Sequence, residues 1–240
     1  MNKELLDIIN HFESLGEDFV VGNRNKIKII PYNDVVLNIK SFKVPSFING
    51  LVYRFFRKSK AKRSFIYAKI LKENNIGTPE PIAFYENNTW LRLLDSYYIC
   101  QHLEVDYVFK ELFNKDIPEL DKILRQFAHF CFKLHEAGIE FLDHSPGNTL
   151  IKKRLDGNYD FFLVDLNRMK FHQEMDFATR MKNLRRITPS EYMVKVISSS
   201  YSIFYHKTEV EVFEEMWKHN VAFHKRFDKK KKIKKFFNIK

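Results

Sequence analysis

The chain has 240 residues, of which 45% are hydrophobic and 15% are aromatic. This composition excludes a largely disordered protein, and the length suits one large domain or two small lobes with a core of their own. With 41 Lys and Arg against 30 Asp and Glu, the formal net charge is +11, which favours anionic partners such as nucleic acid, anionic lipid or phosphorylated sugars.

Targeting and redox signals point to the cytoplasm. No run approaches the roughly 20 apolar residues that a membrane span needs. The segment MNKELLDIINHFESLGEDF (1–19) carries acids and lacks the apolar centre of a signal peptide. Cys100 and Cys131 do not have the spacing of metal ligands and are compatible with a reducing compartment. We therefore expect a cytoplasmic protein.

The first part of the chain has the pattern of a small β-rich region. KIKIIPY (26–32) and DVVLNIKSF (34–42) are runs rich in Ile, Val and Leu, and they predict two strands. VVGNRNK (20–26) predicts a hairpin, because Gly22 and Asn23 adopt positive φ angles readily.

One helix and two more strands are predicted further along. The helix covers about 59–75 and is ended by Gly77 and the breaker TPEP (78–81). The apolar runs TWLRLL (89–94) and SYYICQHL (96–103), joined by one aspartate, predict adjacent antiparallel strands.

The later part of the chain is mostly helical. A buried helix face is predicted by six apolar residues with i, i+3, i+4 and i+7 spacing: Leu120, Ile123, Leu124, Phe127, Cys131 and Leu134. Asp116 and Pro118 are typical of a helix start, and Gly138 is typical of a helix end. The capping-box patterns TPSE (188–191) and TEVE (208–211) predict two later helices.

Two strands interrupt this helical part. NTLIKK (148–153) and YDFFLVDL (159–166) predict strands around a turn at Asp156–Gly157–Asn158. The order of elements predicts an α+β protein with three parts: a β-rich N-lobe with one helix (1–101), a larger helical C-lobe (102–228) and a basic tail (229–240).

The run FLDHSPGNTLI (141–151) joins the long helix to the first of these strands. Asp143 and Asn148 stand five residues apart in it, and Asp165 follows the next apolar strand. A hairpin brings the ends of its strands together, so the three side chains are expected to converge. Carboxylate and carboxamide oxygens favour a hard cation such as Mg²⁺, and an acid beside it can accept a proton from a hydroxyl nucleophile. Lys40, at the end of a predicted strand, is the candidate for binding phosphates.

These residues resemble the conserved motifs of protein kinases. The spacing from Asp143 to Asn148 matches H-R-D-x-x-x-x-N, Asp165 in DLN resembles the D-F-G aspartate, and Lys40 in LNIK resembles the V-A-I-K lysine. Over roughly residues 20 to 185 the chain is similar to the lipopolysaccharide core kinase family, the Kdo and heptose kinases of Gram-negative bacteria. The runs that carry this resemblance are KSFKVP, FFRKSKAKRSF, GTPEPIAFYE, LHEAGIEFLDHSPGN and LVDLNRMKF.

The resemblance implies a two-lobed protein-kinase-like fold and ATP-dependent phosphorylation of a sugar hydroxyl in the lipopolysaccharide inner core, at the cytoplasmic face of the inner membrane. It implies that Asp143 orients and deprotonates the acceptor hydroxyl. Asn148 and Asp165 would hold Mg²⁺ on the phosphates, and Lys40 would bind the α- and β-phosphates of ATP.

Three features depart from the kinase pattern. The helix after Arg63 has no glutamate before Glu73, so the partner of Lys40 is not evident. The N-terminal hairpin has Gly22 but no G-x-G-x-x-G, and Asn38 stands where a small apolar residue is expected beside the adenine. These departures keep a pseudokinase as an alternative.

Two other classes of protein fit part of the pattern. A small-molecule phosphotransferase acting on an aminoglycoside or choline shares the Asp143, Asn148 and Asp165 logic, but usually has an acidic acceptor pocket. A nucleic-acid-binding module explains the charge but not these three residues, so nucleic acid is not the expected partner.

A lipopolysaccharide or lipid A precursor that carries the core sugar is the expected partner, because it accounts for both the charge and the motif. The basic tail, with Phe236, Phe237 and Ile239, is predicted to rest on an anionic membrane surface. His144 is interpreted as a loop residue rather than a base, while Arg168 and Lys170 either bind acceptor phosphates or face solvent.

Overall fold

The computed structural model of the protein describes residues 3–21, 25–114 and 116–236. The chain divides into two compact units, which we describe separately. Unit 1 contains residues 1–104 together with the short segment 165–168, and unit 2 contains residues 105–164 and 169–240.

Unit 1 is built on a five-stranded antiparallel sheet with strand order β1-β2-β3-β5-β4. The strands are β1 (Glu17–Val21), β2 (Asn25–Tyr32), β3 (Val35–Phe42), β4 (Pro81–Asn88) and β5 (Leu93–Gln101). The helices described in this unit are α1 (Lys3–Asn10), α2 (Phe47–Phe55) and α3 (Lys60–Glu73). The sequence predictions of β2, β3 and α3 are confirmed.

The central strand β3 separates apolar from polar side chains by its alternation. Leu37 and Ile39 are fully buried and pack with Leu5, Ile9 and neighbouring apolar residues in one core cluster. Because successive side chains of a strand point to opposite faces, the residues between and after them, Asn38 and Lys40, face the other side of the sheet.

Of the two strands predicted after α3, the run SYYICQHL is largely confirmed as part of β5, whereas TWLRLL does not form a separate strand. Strand β4, which was not predicted, begins at the last residue of TPEP, and the chain turns at residues 89–92 and returns as β5. Asp95 therefore lies inside a strand, where it accepts a hydrogen bond from Asn87. TPEP did not prevent a strand because Pro81 is the first residue of an edge strand, where a missing N–H is tolerated. Helix α3 ends before Gly77, and Asn75 takes the left-handed conformation there with φ 56°.

The structure describes the two strands of the β1–β2 hairpin but not its turn. The two strands pair antiparallel, as predicted. The turn residues proposed for it, Gly22 and Asn23, lie outside the described residues.

Unit 2 combines helices with two small antiparallel sheets, ordered β6-β8-β9 and β10-β7. Its described strands are β6 (Tyr107–Val108), β7 (Ile139–Phe141), β8 (Thr149–Lys153), β9 (Tyr159–Leu163) and β10 (Met169–Phe171). Its described helices are α4 (Leu120–Glu136), α5 (Phe177–Asn183), α6 (Glu191–Ser202) and α7 (Glu209–Phe236), with 3-10 turns at Phe109–Phe113 and Pro146–Asn148.

Helix α4 is the centre of the unit 2 core. The apolar residues predicted for its buried face are confirmed, and all but the half-buried Leu120 are fully buried. Gly138 follows the helix with φ 68°, as its position predicts. The hairpin formed by β8 and β9 also matches the prediction, and Gly157 lies in its turn with a φ of 78°.

The two predicted capping boxes had different outcomes. At the start of α7, Thr208 Oγ1 accepts from the backbone N–H of Glu211, and the Glu211 carboxylate accepts from the Thr208 N–H. At α6 the capping residue is Ser190, whose Oγ accepts from the Met193 N–H, so the box predicted from Thr188 was wrong.

The basic end of the chain continues a helix. Residues 229–236, predicted as a tail, extend α7 to Phe236, while Phe237 and Ile239 lie outside the described residues. Among the residues that the structure describes, no helix has the length and apolar character to cross a membrane.

Candidate active site

Lys40 is held on the central part of the unit 1 sheet. It lies opposite Ile27 of β2 and Tyr98 of β5, so its backbone is fixed by strands on both sides. Its Nζ lies 2.5 Å from Oδ1 of Asp165, a residue of the 165–168 segment that belongs to the same unit. The two residues predicted to bind phosphate and metal thus form an ion pair.

Asp165 has an unusual backbone conformation. Its φ is +60°, in the left-handed region that residues other than glycine adopt uncommonly. The carboxylate is fixed from two directions, since Oδ1 accepts from Asn167 Nδ2 at 2.8 Å as well as from Lys40. Strained backbone that is held by several contacts is typical of functional sites.

Helix α3 does not supply the acid that the kinase pattern pairs with the lysine. Its buried polar positions include Arg63, whose Nε donates to the Ser59 carbonyl at 3.4 Å. Burial, together with the nearby Arg57, lowers the pKa of Arg63. The acidic partner of Lys40 is instead Asp165.

Asn38 and Cys100 lie near Lys40 on the neighbouring strands β3 and β5. Asn38 pairs in register with Cys100, whose Sγ donates to the Asn38 carbonyl at 3.7 Å. Burial raises the pKa of Cys100 to about 12. The thiol therefore stays protonated and is unsuited to act as a nucleophile.

The loop after β7 brings Asp143 and Asn148 together. The Phe141 carbonyl accepts from the His144 N–H, and the 3-10 turn Pro146–Asn148 follows. Asn148 Nδ2 then donates to the Asp143 carbonyl at 2.9 Å, which leaves the amide oxygen Oδ1 as the acceptor end of the side chain. The Asn148 carbonyl accepts from Val164, the residue that precedes Asp165 in the chain.

Arg186 is a site residue that the sequence interpretation missed. Its guanidinium Nη1 lies 3.2 Å from Oδ1 of Asp143, and it also lies over the ring of Phe223 at 5.6 Å from the centroid. Both side chains are partly exposed, at 32% for Arg186 and 20% for Asp143. No spacing motif connects residues 43 positions apart, so only the basic pair Arg185–Arg186 hinted at this role.

A buried polar network supports the loop from behind. The Asn183 amide donates to the Phe141 carbonyl at 2.8 Å, and its oxygen lies 3.3 Å from ring nitrogens of both His144 and His135. His135 also contacts the Tyr201 hydroxyl at 2.9 Å. Asn183 was not selected by any sequence motif, and it connects the candidate catalytic loop to α4, α5 and α6.

His144 belongs to the core rather than to the reactive face. It is 1% exposed, and its ring packs against Phe127 and Phe141. Burial lowers the pKa of His144 from 6.5 to about 4 and that of His135 to about 3. Both rings are thus neutral at pH 7, in agreement with the interpretation of His144 as a structural loop residue.

The donors present suit a magnesium ion. Asp165 offers a carboxylate and Asn148 an amide oxygen, and oxygen ligands are those that Mg²⁺ prefers, usually few in number and completed by substrate phosphates and water. Within the described residues, no group of three or more His, Cys, Asp or Glu side chains forms a metal-binding cluster. Each of these two donors, taken by itself, has the chemistry of a magnesium ligand.

Comparison with known proteins identifies the fold. A solved structure, WaaP in complex with acyl carrier protein, matches with a TM-score of 0.61 at 15% identity, over 92% of this chain and 91% of that one. The chain has a protein-kinase-like fold. A MAP kinase of Leishmania major, LmaMPK10, matches at 13% identity with a TM-score of 0.45, over 89% of this chain and 64% of that one. No protein-family model and no curated protein sequence matches the chain.

The α+β protein-kinase-like fold predicted from sequence is confirmed, and the resemblance is confirmed at the level of fold. The structure places the four predicted site residues in two pairs, one in each unit. Lys40 and Asp165 are joined in unit 1, while Asp143 and Asn148 are joined in unit 2. Their roles in catalysis stay predictions.

Proposed function

We propose that the protein is an ATP-dependent kinase that phosphorylates a sugar hydroxyl, on Kdo or heptose, of the lipopolysaccharide inner core. The observation that carries this proposal is the 2.5 Å ion pair between Lys40 and Asp165. It joins the residue expected to bind phosphates to the residue expected to bind the metal, on a chain with a protein-kinase-like fold.

In the proposed reaction, Asp143 accepts the proton of the acceptor hydroxyl. The hydroxyl oxygen forms a bond to the γ-phosphorus, while the bond from that phosphorus to the β–γ bridging oxygen breaks and ADP leaves. Arg186, 3.2 Å from Asp143, fixes the carboxylate and adds positive charge near the entering group. Positioning and charge neutralisation supply most of the rate in such transfers.

Lys40, Asn148 and Asp165 act on the phosphates. Lys40 neutralises the α- and β-phosphates, and its pairing with Asp165 positions its ammonium group. Asn148 and Asp165 would hold the magnesium ion, which neutralises charge on the transferred phosphoryl group when bound. The hydrogen bond from Asn148 Nδ2 to the Asp143 carbonyl orients the amide oxygen for this role.

An anionic acceptor fits the charge of the chain. The net charge is +11, and Arg186 lies beside the proposed base, where a phosphate or carboxylate on a neighbouring sugar would be stabilised. The expected partner is a lipopolysaccharide or lipid A precursor in a Gram-negative host, reached from the cytoplasm at the inner membrane. A neutral or cationic acceptor such as choline or an aminoglycoside is disfavoured by the same positive charge. Nucleic acid fits the charge but leaves Asp143, Asn148 and Asp165 without a role.

The proposal is tested in the native host by deleting the gene and analysing the lipopolysaccharide core by mass spectrometry. The strain is complemented with the parent, with Asp143→Ala, or with the control Asp160→Ala, which changes an exposed carboxylate on β9. Loss of one phosphate on deletion, restored by the parent and by the control but not by Asp143→Ala, supports the proposal. An unchanged core in the deleted strain would contradict the proposed acceptor.

A parallel assay with purified protein separates catalysis from binding. Asp143→Ala is expected to slow phosphoryl transfer by about 10² or more, the effect of a lost general base, while Mg-ATP binding measured by calorimetry is retained. Acyl carrier protein is added to a second series, because it is bound in the WaaP structure. Binding of Mg-ATP without transfer by the parent would favour a pseudokinase.

A further inference from the structure

Helix α2 of unit 1 packs on the sheet through its glycine and turns its larger apolar residues outward. Its buried residue is Gly50. A Cβ at Gly50 would lie 3.0 Å from the Leu93 carbonyl oxygen and 3.1 Å from Arg92 Cβ, so the helix lies close to the start of β5. Because the helix contacts the sheet on its glycine side, several of its bulky side chains lie on the exposed side.

These side chains form an exposed apolar surface with the β4–β5 turn. Seven large apolar residues are exposed there, and we call them the α2 patch: Val44, Phe47, Ile48, Val52, Phe55, Phe56 and Trp90. The most exposed are Phe56 at 87% and Trp90 at 81%. The turn is joined to the helix by Arg92, whose guanidinium lies 5.3 Å from the ring centroid of Phe47. Clustered apolar exposure of this kind marks an interaction surface.

Basic residues surround the α2 patch. Lys43, Arg54, Arg57 and Lys58 are exposed, and none of these four forms a salt bridge within the part of the chain that the structure describes. The sequence contains no Asp or Glu between Asp34 and Glu73. The patch therefore presents uncompensated positive charge around protruding apolar side chains.

We propose that the α2 patch is a docking surface for an anionic lipid bilayer. Aromatic and aliphatic side chains on one helix, with Lys and Arg beside them, are the composition of helices that lie in the bilayer interface. The shape favours lipid over an acidic protein, because Phe56 and Trp90 protrude almost completely and would need matched pockets on a rigid partner. A bilayer is fluid, so its headgroup region can rearrange around these protruding side chains. The neighbouring Lys and Arg side chains would then contact anionic headgroups.

The α2 patch belongs to unit 1, whereas the basic end of α7 belongs to unit 2. The proposed docking does not depend on catalysis. Binding is measured without nucleotide, so its outcome is independent of whether the protein phosphorylates a sugar. For the same reason, a kinase that fails to bind vesicles would contradict only the docking proposal.

The test uses vesicles of phosphatidylcholine with 30 mol% phosphatidylglycerol (roughly the anionic content that gives a strong negative surface potential) and vesicles of phosphatidylcholine alone. The full chain is sedimented with each. The double variant Ile48→Glu, Phe56→Glu is expected to bind the anionic vesicles at least ~10-fold more weakly, since it removes inserted apolar area and adds repulsive charge. The matched control is Ile203→Glu in unit 2, because Ile203 and Ile48 are both 73% exposed.

Trp90 reports insertion directly. The chain has two tryptophans, so Trp217→Phe leaves Trp90 as the single fluorophore. Anionic vesicles should shift its emission to the blue, and lipids brominated in the acyl chain should quench it. Absence of vesicle binding by the parent, equal loss of binding in Ile203→Glu, or Trp90 emission unchanged by vesicles would each overturn the proposal. Retained binding by the double variant, abolished by removing residues 229–240, would assign the contact to the end of α7 instead.

Discussion

Lys40 and Asp165 stand 125 residues apart in the chain, yet Lys40 Nζ lies 2.5 Å from Asp165 Oδ1. The acid that holds the lysine therefore comes from the segment after β9 and not from helix α3. The residue that binds the metal in the proposed mechanism also positions the residue that binds phosphate. Such a shared role makes the two side chains one functional unit.

The first prediction follows from this coupling. Lys40→Met and Asp165→Asn should each lower kcat/KM by about 10² or more, because each removes charge that stabilises the transferred phosphoryl group. The double variant should be little worse than either single variant, since residues that act as a unit are strongly non-additive. Steady-state kinetics with Mg-ATP and core acceptor measures all three.

The control for this cycle is Lys69→Met, which removes an exposed lysine from α3. It should retain the parental kcat/KM. Parental activity in Lys40→Met, or effects that multiply in the double variant, would show that the two residues work separately.

The second prediction concerns the ion pair between Arg186 and Asp143. Arg186→Ala should lower kcat/KM by about tenfold or more, because the proposed base loses the group that fixes its carboxylate and the entering acceptor loses a positive charge. Arg186→Lys should recover part of the loss, since it keeps the charge without the planar fork. Kinetics over a range of acceptor concentrations separates the effect on KM from that on kcat.

Arg185→Ala is the matched control, because Arg185 is adjacent in sequence but donates to the carbonyl of Lys182. Equal losses in both variants would indicate a general effect of surface charge. An unchanged kcat/KM in Arg186→Ala would remove Arg186 from the proposed site.

The elements that sequence predicted well are those specified by local chemistry. The strands β2 and β3, the buried face of α4 and the stop at Gly138 depend on residue periodicity and on backbone preferences over a few positions. Asp143, Asn148 and their turn were found for the same reason, because a spacing of five residues is visible in one short loop. Strand β4 was not predicted, because TPEP was taken only as the end of the helix, although an edge strand can begin with a proline.

What the sequence could not predict depends on contacts between distant residues. Arg186 and Asn183 reach the catalytic loop only through the packing of α5 and the segment after it against β7. The partner of Lys40 was sought on α3 by analogy, and only the structure shows that Asp165 takes that place. Helix α1, which covers the apolar face of the unit 1 sheet, carries no motif and was not predicted.

The third prediction concerns two glycines near the loop. Gly138 has φ 68°, and a Cβ there would lie 2.1 Å from the His172 carbonyl oxygen, so Gly138→Ala should destabilise unit 2 by roughly 2 kcal/mol or more. Gly147→Ala is the matched control, because a Cβ at Gly147 meets nothing within 4 Å. Urea unfolding should show a lower midpoint for the first variant alone. Similar midpoints for both variants would contradict the tight fit at Gly138.

The last prediction is a loss of stability in mild acid caused by the buried histidines. Burial lowers the pKa of His144 to about 4 and that of His135 to about 3 in the folded protein, whereas both titrate near 6.5 when unfolded. Well above pH 6.5 the two histidines are neutral in both the folded and the unfolded state, and their contribution to stability is at its full value. As the pH falls from 6.5 towards 4, only the unfolded chain binds protons, so the free energy of unfolding decreases. By pH 5 each histidine should account for about 2 kcal/mol of this decrease.

His144→Asn separates this effect from other acid titrations. Asparagine keeps an N–H donor for the Asn183 oxygen but does not titrate, so the difference in unfolding free energy between pH 7.5 and pH 5 should become smaller by about 2 kcal/mol. His11→Asn, at a position where the side chain is 59% exposed, serves as the control and should change the difference little. If His144→Asn and the parent lose the same stability between these pH values, His144 is not held neutral by the fold, and the rigid support inferred for the catalytic loop would have to come from Asn183 alone.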